Sequence, residues 1–389
     1  MRKLTIALLS LSLLLGACAP NFQQREEVVD QPKNTKEEAI IPKYKISDKY
    51  YQVILPFKPS GARGLTVNNL NTRYDINEFE MGLMRVAQNT FDPNPDKYVF
   101  REGQILKKST VESWLARKYT KKQLAELKKK EEDNLGLNPV DEGVGDIEAR
   151  NKKSPIYLAH LLEYDFLVKG DKDTYKLGGV AIGLALNSVH YYQKEKYGDT
   201  FHVNIDQQVM EREGKKIAQE VLTRLRAMDE LRNVPITIAL FEQASIESVV
   251  PGNFFAYTTV RQGADIDKWE KVNEKYYLFP SKDAREKYRE DALAFDNFKQ
   301  DVEKYFPNFN GVVGKAHYVD GQLKELNITI PIQFYGKAEG IGFTQYVTGK
   351  VMEHFPKYIS VSVSVTSVNG PESLIVRKAD QDAPMVHIY

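Results

Sequence analysis

"ISVSVSVTSV", residues 359–368, alternates without a break: Ile359, Val361, Val363 and Val365 fall on one side of an extended chain, with Ser360, Ser362 and Ser364 on the other. Successive side chains of a strand point to opposite faces, so this period of two specifies one buried and one wet sheet face, the habit of antiparallel sheets. "SLIVRK" (373–378) follows as a closing strand. Upstream, "FTQYVTGKVMEHF" (343–355) spaces Phe343, Val347, Val351 and Phe355 for one face of a helix. Before it, "KELNITIPIQF" (324–334) keeps Leu326, Ile328, Ile330 and Ile332 in phase, and "GVVGKAHYV" (311–319) supplies another strand. Pro331 argues for an edge strand or a bulge, because it donates nothing to a ladder.

The same order reads earlier in the chain. "GGVAIGLALNSVHYY" (178–192) alternates Val180, Ile182, Leu184 and Leu186 with small residues, and "FHVNID" (201–206) alternates next. A helix over 207–228 gathers Met210, Ile217, Val221, Leu225 and Met228, then "VPITIALFE" (234–242) and "NFFAYTTV" (253–260) return as strands. The expectation is an α+β fold: two tandem β-β-α-β-β-like repeats with mainly antiparallel sheets, plus an N-terminal α/β subdomain. The expected divisions are 1–17, a signal peptide; 18–45, a flexible tether; 46–154, an N-terminal subdomain ending in a charged linker; 155–294, the first repeat; and 295–389, the second. In the N-terminal subdomain "YYQVILPF" (50–57) reads as a strand, and a helix turns Ile76, Phe79, Leu83 and Val86 inward. Ser109 and Glu112 have capping-box spacing for the next helix.

Charge is balanced, with Lys plus Arg 54 against Asp plus Glu 53, which argues against a nucleic-acid footprint. A single cysteine excludes an internal disulfide. Six histidines show no metal-ligand spacing; His190 and His317 are expected in corresponding strands of the two repeats. No serine-hydrolase elbow occurs, and "GDKDTYKLGG" (170–179) lacks the ligands of a calcium loop. No catalytic residue, metal site or cofactor is assigned. Two stretches are candidate binding surfaces. One is "FYGKAEGIGF" (334–343), where Gly336, Gly340 and Gly342 stand between a strand and a helix N-terminus that could hold an anion. The other is the aromatic stretch 249–279, with Phe254, Phe255, Tyr257 and Trp269.

The N-terminus is more specific. Arg2 and Lys3 precede an apolar run to Leu15 that is too short to span a bilayer, and "LLLGAC" (13–18) closes it. Leu15, Gly16, Ala17 and Cys18 fit a bacterial lipobox, with Cys18 as the lipid attachment point and first mature residue. Two or more acyl chains there give stable anchoring. The long strings "GARGLTVNNLNTRYDINEFEMGLMRVAQNTF" (61–91), "SPIYLAHLLEYDFLVKGDKDTYKLGG" (154–179) and "VPITIALFEQASIESVVPGNFFAYTTV" (234–260), with the lipobox, resemble the CamS family of sex-pheromone lipoproteins of Gram-positive bacteria. The resemblance implies a short hydrophobic pheromone peptide released from the signal sequence; the matching segment is Leu11, Ser12, Leu13, Leu14, Leu15, Gly16 and Ala17. It also implies signal peptidase II and a lipid transferase as processing partners, a peptide receptor in recipient cells, and a location on the outer face of the cytoplasmic membrane. The alternative is a surface lipoprotein that binds a ligand or envelope partner and has no pheromone role. An envelope-modifying enzyme is a third reading, to be revived by an acidic pair in a cleft.

Overall fold

The computed structural model describes residues 27–29, 39–42, 46–47, 49–170, 174–305, 311–334 and 336–389. The signal segment, Cys18 and the candidate peptide Leu11–Ala17 lie outside the described residues, as do Asp171 and Asp173 of the excluded calcium loop.

The chain order is β1 (Glu27–Val29), β2 (Ala39–Ile41), α1 (Arg63–Asn69), α2 (Arg73–Ala87), β3 (Val99–Glu102), α3 (Lys108–Leu115), α4 (Lys121–Glu126), α5 (Ile147–Lys153), β4 (Leu158–Lys169) and β5 (Tyr175–Asn187). It continues with β6 (Val189–Gln193), β7 (Thr200–Asn204), α6 (Gln207–Arg226), β8 (Ile236–Gln243), β9 (Asn253–Val260), β10 (Glu270–Lys271) and β11 (Glu274–Phe279). The last part holds α7 (Lys282–Lys287), α8 (Arg289–Tyr305), β12 (Val313–Val319), β13 (Gln322–Pro331), α9 (Lys337–His354), β14 (Ser360–Ser367), β15 (Gly370–Arg377) and β16 (Met385–Ile388).

Two six-stranded sheets dominate this α+β fold. Their orders are β10-β9-β8-β5-β4-β3 and β11-β12-β13-β14-β15-β16; two-stranded pairs β1-β2 and β6-β7 stand apart. At the heart of each sheet an antiparallel pair, a crossover helix and a second antiparallel pair follow one another. The helices α6 and α9 therefore join parallel central neighbours, β5 with β8 and β13 with β14. The serine alternation of β14 thus sits beside a parallel strand, because a helix-length connection returns the chain to the same end of the sheet.

The phase of the first half differs from the sequence reading. Its first strand is β4, while "GGVAIGLALN" forms β5, the second; "FHVNID" lies in the separate β6-β7 pair. His190 on β6 and His317 on β12 are consequently not in corresponding strands. Pro331 ends β13, a central strand, so no ladder donor is needed from it beyond the strand. "YYQVILPF" forms no continuous strand: Val53 bridges to Phe100, and Leu55 is a second single bridge residue. The helix near Ser109 starts at Lys108 with Lys107 as N-cap and no side-chain cap, so the Ser109–Glu112 box is not formed; Thr120 and Gln123 build one on α4 instead.

The divisions shift as well. The segment assigned to an N-terminal subdomain completes the first sheet: β3 pairs with β4, and α2 covers one face. The first sheet ends at Lys271 and the second begins at Glu274, ahead of the expected 294/295 boundary.

The first sheet has no wet face at its centre. Val180, Ile182, Leu184 and Leu186 pack with Met210, Val221 and Leu225 of α6, whereas Ala181 and Ala185 meet Phe79, Leu83 and Val86 of α2. Small residues are required on the α2 side. A Cβ on Gly183 would lie 2.9 Å from the Phe79 ring, too close for any other residue without displacement. The second sheet keeps the one-sided pattern: Val361, Val363 and Val365 join Phe295 and Phe298 of α8 and Phe343, Val347 and Val351 of α9, while the β14 serines are half-buried.

Candidate functional site

The two sheets meet along a polar seam between α2 and the edge strand β11 with its neighbour β12. The 3.6-residue period of α2 sends Phe79 and Leu83 into the core and leaves Glu78 and Arg85 beside that face. Arg85 Nε donates to both oxygens of Glu274, at 3.1 and 3.0 Å, and its Nη2 bonds Glu274 and also Glu78 Oε1 at 2.5 Å. Tyr276 donates its hydroxyl to Glu78 Oε2 at 2.6 Å and stacks on the His317 ring at 4.4 Å. His317 Nε2 stands 3.4 Å from Glu274 Oε2. Burial pushes the Glu274 carboxyl up, but His317 and Arg85 outweigh it and hold the pKa down at about 2. Burial and the Glu78 charge push the Tyr276 phenol far above its usual value. A permanently ionised carboxylate, a guanidinium and a neutral phenol form a lock rather than a proton-transfer set.

Beside this lock opens a hollow of about 600 Å³ between the 249–250 loop and the start of the second sheet, walled by Lys275, Tyr276, Tyr277 and Lys287 among others. Another, of about 540 Å³, is lined by Thr90, Tyr257, Thr259, Arg261 and Lys268.

The aromatic stretch does not form one surface. Phe254 is fully buried and stacks on Phe79 at 5.8 Å, so it is a core residue and not a binding anchor. Phe255 and Trp269 pack against the α6 side of the sheet, while Tyr257 packs on the α2 side. The reason is a register shift between Leu240 and Phe241 opposite β9, which breaks the alternation. Lys215 Nζ lies over the Trp269 ring at 5.7 Å. Of these four, Tyr257 lines the second hollow. Gly336 is the N-cap of α9, with extended φ of −167°, and Gly340 lies in its first turn, its amide bonded to Gly336 O. Gly340 faces the Phe334 ring and Gly342 the Tyr305 hydroxyl, so side-chain neighbours account for both.

Sequence reasoning missed two clusters. Glu163 and Asp165, two apart on β4, share a face and are nearly enclosed. Glu163 accepts from the amides of Ile105 at 3.1 Å and Leu106 at 2.7 Å, whereas Asp165 Oδ2 accepts from Arg101 Nη2 at 2.6 Å. Burial first, and then the Asp165 charge, pushes Glu163 up to about 8; burial pushes Asp165 up as well, against the pull of Arg101. A proton on Glu163 also gives a partner to Asp165 Oδ1, which otherwise has no donor. This acidic pair lines neither hollow, so it does not revive the enzyme reading. "LEYD" in a strand was its only signal.

The pair makes a pH prediction. A carboxyl raised in the folded state binds more protons there than in the unfolded chain, so its contribution falls as pH rises from about 4.3 through neutrality. Buried His160 and His190, both held near pKa 4, act in the opposite direction up to the unfolded value of about 6.5. Between pH 6.5 and 8.5 thermal unfolding should therefore move to lower temperature in the wild type, and Glu163→Gln should remove most of that slope. An unchanged slope in the variant would refute the protonated pair.

The second cluster brings Asp301 of α8 next to Glu353 and His354 of α9, with ligand atoms within 4.8 Å of one another. Lys350 Nζ is already 3.0 Å from Asp301 Oδ2, and Lys304 3.1 Å from Oδ1, so side chains supply the countercharge. The residues come from two helices, which no linear spacing reveals.

The sequence profile of the family described as "CamS sex pheromone cAM373 precursor" matches residues 57–383. The fold is similar to the crystal structure of a sex pheromone precursor from Lactobacillus salivarius subsp. salivarius UCC118, at 32% identity and TM-score 0.80, over 90% of this chain and 98% of that one. It is also similar to the C-terminal domain of the sex pheromone staph-cAM373 precursor from Staphylococcus aureus, at 36% identity and TM-score 0.71, over 82% and 98% of the two chains. No curated protein sequence matches.

Proposed function

Because the chain belongs to the CamS sex pheromone cAM373 precursor family, we propose that it is a lipoprotein precursor whose signal sequence yields a short hydrophobic peptide. Residues 1–17 direct export. Cys18 takes a diacylglycerol from a lipid transferase, and signal peptidase II cuts before it. Further trimming frees Leu11–Ala17 as a peptide for a receptor in recipient cells. The observation that carries this reading is the position of "LLLGAC" (13–18) at the end of the apolar run, in a chain with no other cysteine. Among the described residues no helix is long and apolar enough to cross a membrane, so the lipid on Cys18 is the anchor on which the reading relies. The folded body then stands on the outer face of the cytoplasmic membrane. The family is described as a pheromone precursor, and no catalytic role is assigned to the body.

Mass spectrometry of membranes and medium from cells expressing the gene tests the reading. The expected result is a diacylglyceryl-modified peptide beginning at Cys18 and a free peptide ending at Ala17. An unmodified Cys18 overturns the anchor. A lipidated Cys18 without free peptide favours the second reading, a surface lipoprotein that binds an envelope ligand, for which the hollow at Tyr257 is one place.

A further inference from the structure

We propose that a third hollow, between α1, α3 and β6, is a binding site for an uncharged saccharide. It measures about 590 Å³, within the usual range for small-ligand sites, and its walls include Asn68, Asn69, Leu115, Leu158, His190 and Tyr191. The inference is independent of the signal processing proposed above, since it rests on the folded body alone.

His190 carries the argument. The residue is 7% exposed, and Nε2 lies 2.8 Å from Asn151 Oδ1. An amide oxygen cannot donate, so the imidazole donates through Nε2, and the neutral ring keeps Nδ1 as an acceptor. Burial and the Arg117 charge favour that neutral form, holding the pKa at about 4. Nδ1 has no partner among the described residues. Nor is it among the sealed orphan atoms, which are Asp165 Oδ1, His317 Nε2 and Arg377 Nε. It therefore opens on the hollow that its residue lines, where a ligand hydroxyl can donate to it.

The other free groups include both donors and acceptors. Asn69 Nδ2 reaches His160 Nδ1 at 3.3 Å, which leaves Asn69 Oδ1 to accept. Asn68 holds Gly64 O only at 3.5 Å. The Tyr191 oxygen accepts from Ile246 N, so its hydrogen is free to donate. Donors and acceptors spread over separate side chains suit hydroxyls, each of which both donates and accepts, and the aliphatic walls, Leu115 and Leu158 with Val189, suit the C–H face of a sugar ring. No Lys or Arg lines the hollow, and its one charged residue, Glu112, has Lys108 Nζ at 3.7 Å. An anion would thus find no countercharge.

Calorimetric titration of the full chain in detergent micelles tests the site with three probes: the tetramer of N-acetylglucosamine, maltotetraose and a tetrapeptide blocked at both ends. At least one neutral saccharide should bind with Kd below about 1 mM. Asn68→Ala, at an exposed position that leaves folding intact, and His190→Gln should each weaken it about tenfold or more. Ligand should also shift the His190 Nδ1 resonance in ¹⁵N spectra while leaving His160 in place. Failure of both saccharides at 10 mM-scale concentration (roughly 3 kcal/mol of binding), equal affinity in both variants, or a preference for the blocked peptide would overturn the proposal.

Discussion

Arg377→Ala is expected to cost the second sheet about 3–5 kcal/mol, enough to lower its melting temperature by about 10 °C. Arg377 is fully buried at the end of β15. Its guanidinium donates to Phe355 O at 2.9 Å, Pro356 O at 2.6 Å and Ile359 O at 3.4 Å, the carbonyls of the turn from α9 into β14. Truncation takes the guanidinium donors from these carbonyls, leaving Pro356 O only the long bond from Ile359 N at 3.4 Å, and opens a cavity, two penalties that add. Arg377→Lys keeps the charge but reaches fewer of the carbonyls, so it should lose about 2–3 kcal/mol. Arg377→Met preserves the stem's packing and removes the buried cation, and should lose less than alanine. Thermal and urea unfolding of the three variants checks that order. An alanine variant as stable as the wild type would show that the turn is held by something else. The first sheet has a counterpart in Arg226 at the end of α6, which donates to Leu231 O, Val234 O, Val260 O and Gly263 O.

The second large effect belongs to the seam. Glu78 and Glu274 have side chains 9% and 10% exposed, with the Arg85 guanidinium bonded to both. Arg85→Ala strands two buried carboxylates and should cost about 3–5 kcal/mol. It should also split unfolding into two transitions, because the sheets lose their main polar link. Glu274→Gln in the Arg85→Ala background should recover part of the loss, with a coupling energy of about 1–3 kcal/mol in a double-mutant cycle. Acidification tests the same contact. Glu274 has a depressed folded pKa, so its contribution is complete above the unfolded value of about 4.3 and is lost as pH falls through about 2. Wild-type cooperativity should therefore survive to about pH 4 and fail below it. Additive losses in the cycle, or a single transition in Arg85→Ala, would place the coupling elsewhere.

The helices and most strands were legible because burial imposes a period. Phe79, Leu83 and Val86, or Val347 and Val351, can be buried together only on a helix, and Val361, Val363 and Val365 only on a strand. What alternation cannot convey is partner choice. Both the β4-β5 and the β5-β8 contacts use runs of apolar residues, so nothing local says which strand comes first, and the phase of the first half slipped by one strand. A register shift in β9 then sent Phe254 into the core, although its neighbours Phe255 and Tyr257 remain partly accessible. The polar clusters were illegible for a different reason. Glu78 and Arg85 share α2, but Glu274 and His317 lie far from them in sequence, and His190 is informative only through Asn151 on its Nε2.

The link between β10 and β11 has a thermodynamic consequence. Only Val272 and Asn273 separate the last residue of one sheet from the first of the other. Glu274 is thus tethered within reach of Arg85 even when the pair is broken, and closing so short a connection costs little chain entropy. Effective concentration, more than intrinsic pair strength, then governs recapture, and a broken seam closes again before the sheets can drift apart. Openings of this kind are brief local fluctuations that leave the hydrodynamic radius unchanged and register in amide hydrogen exchange along β11.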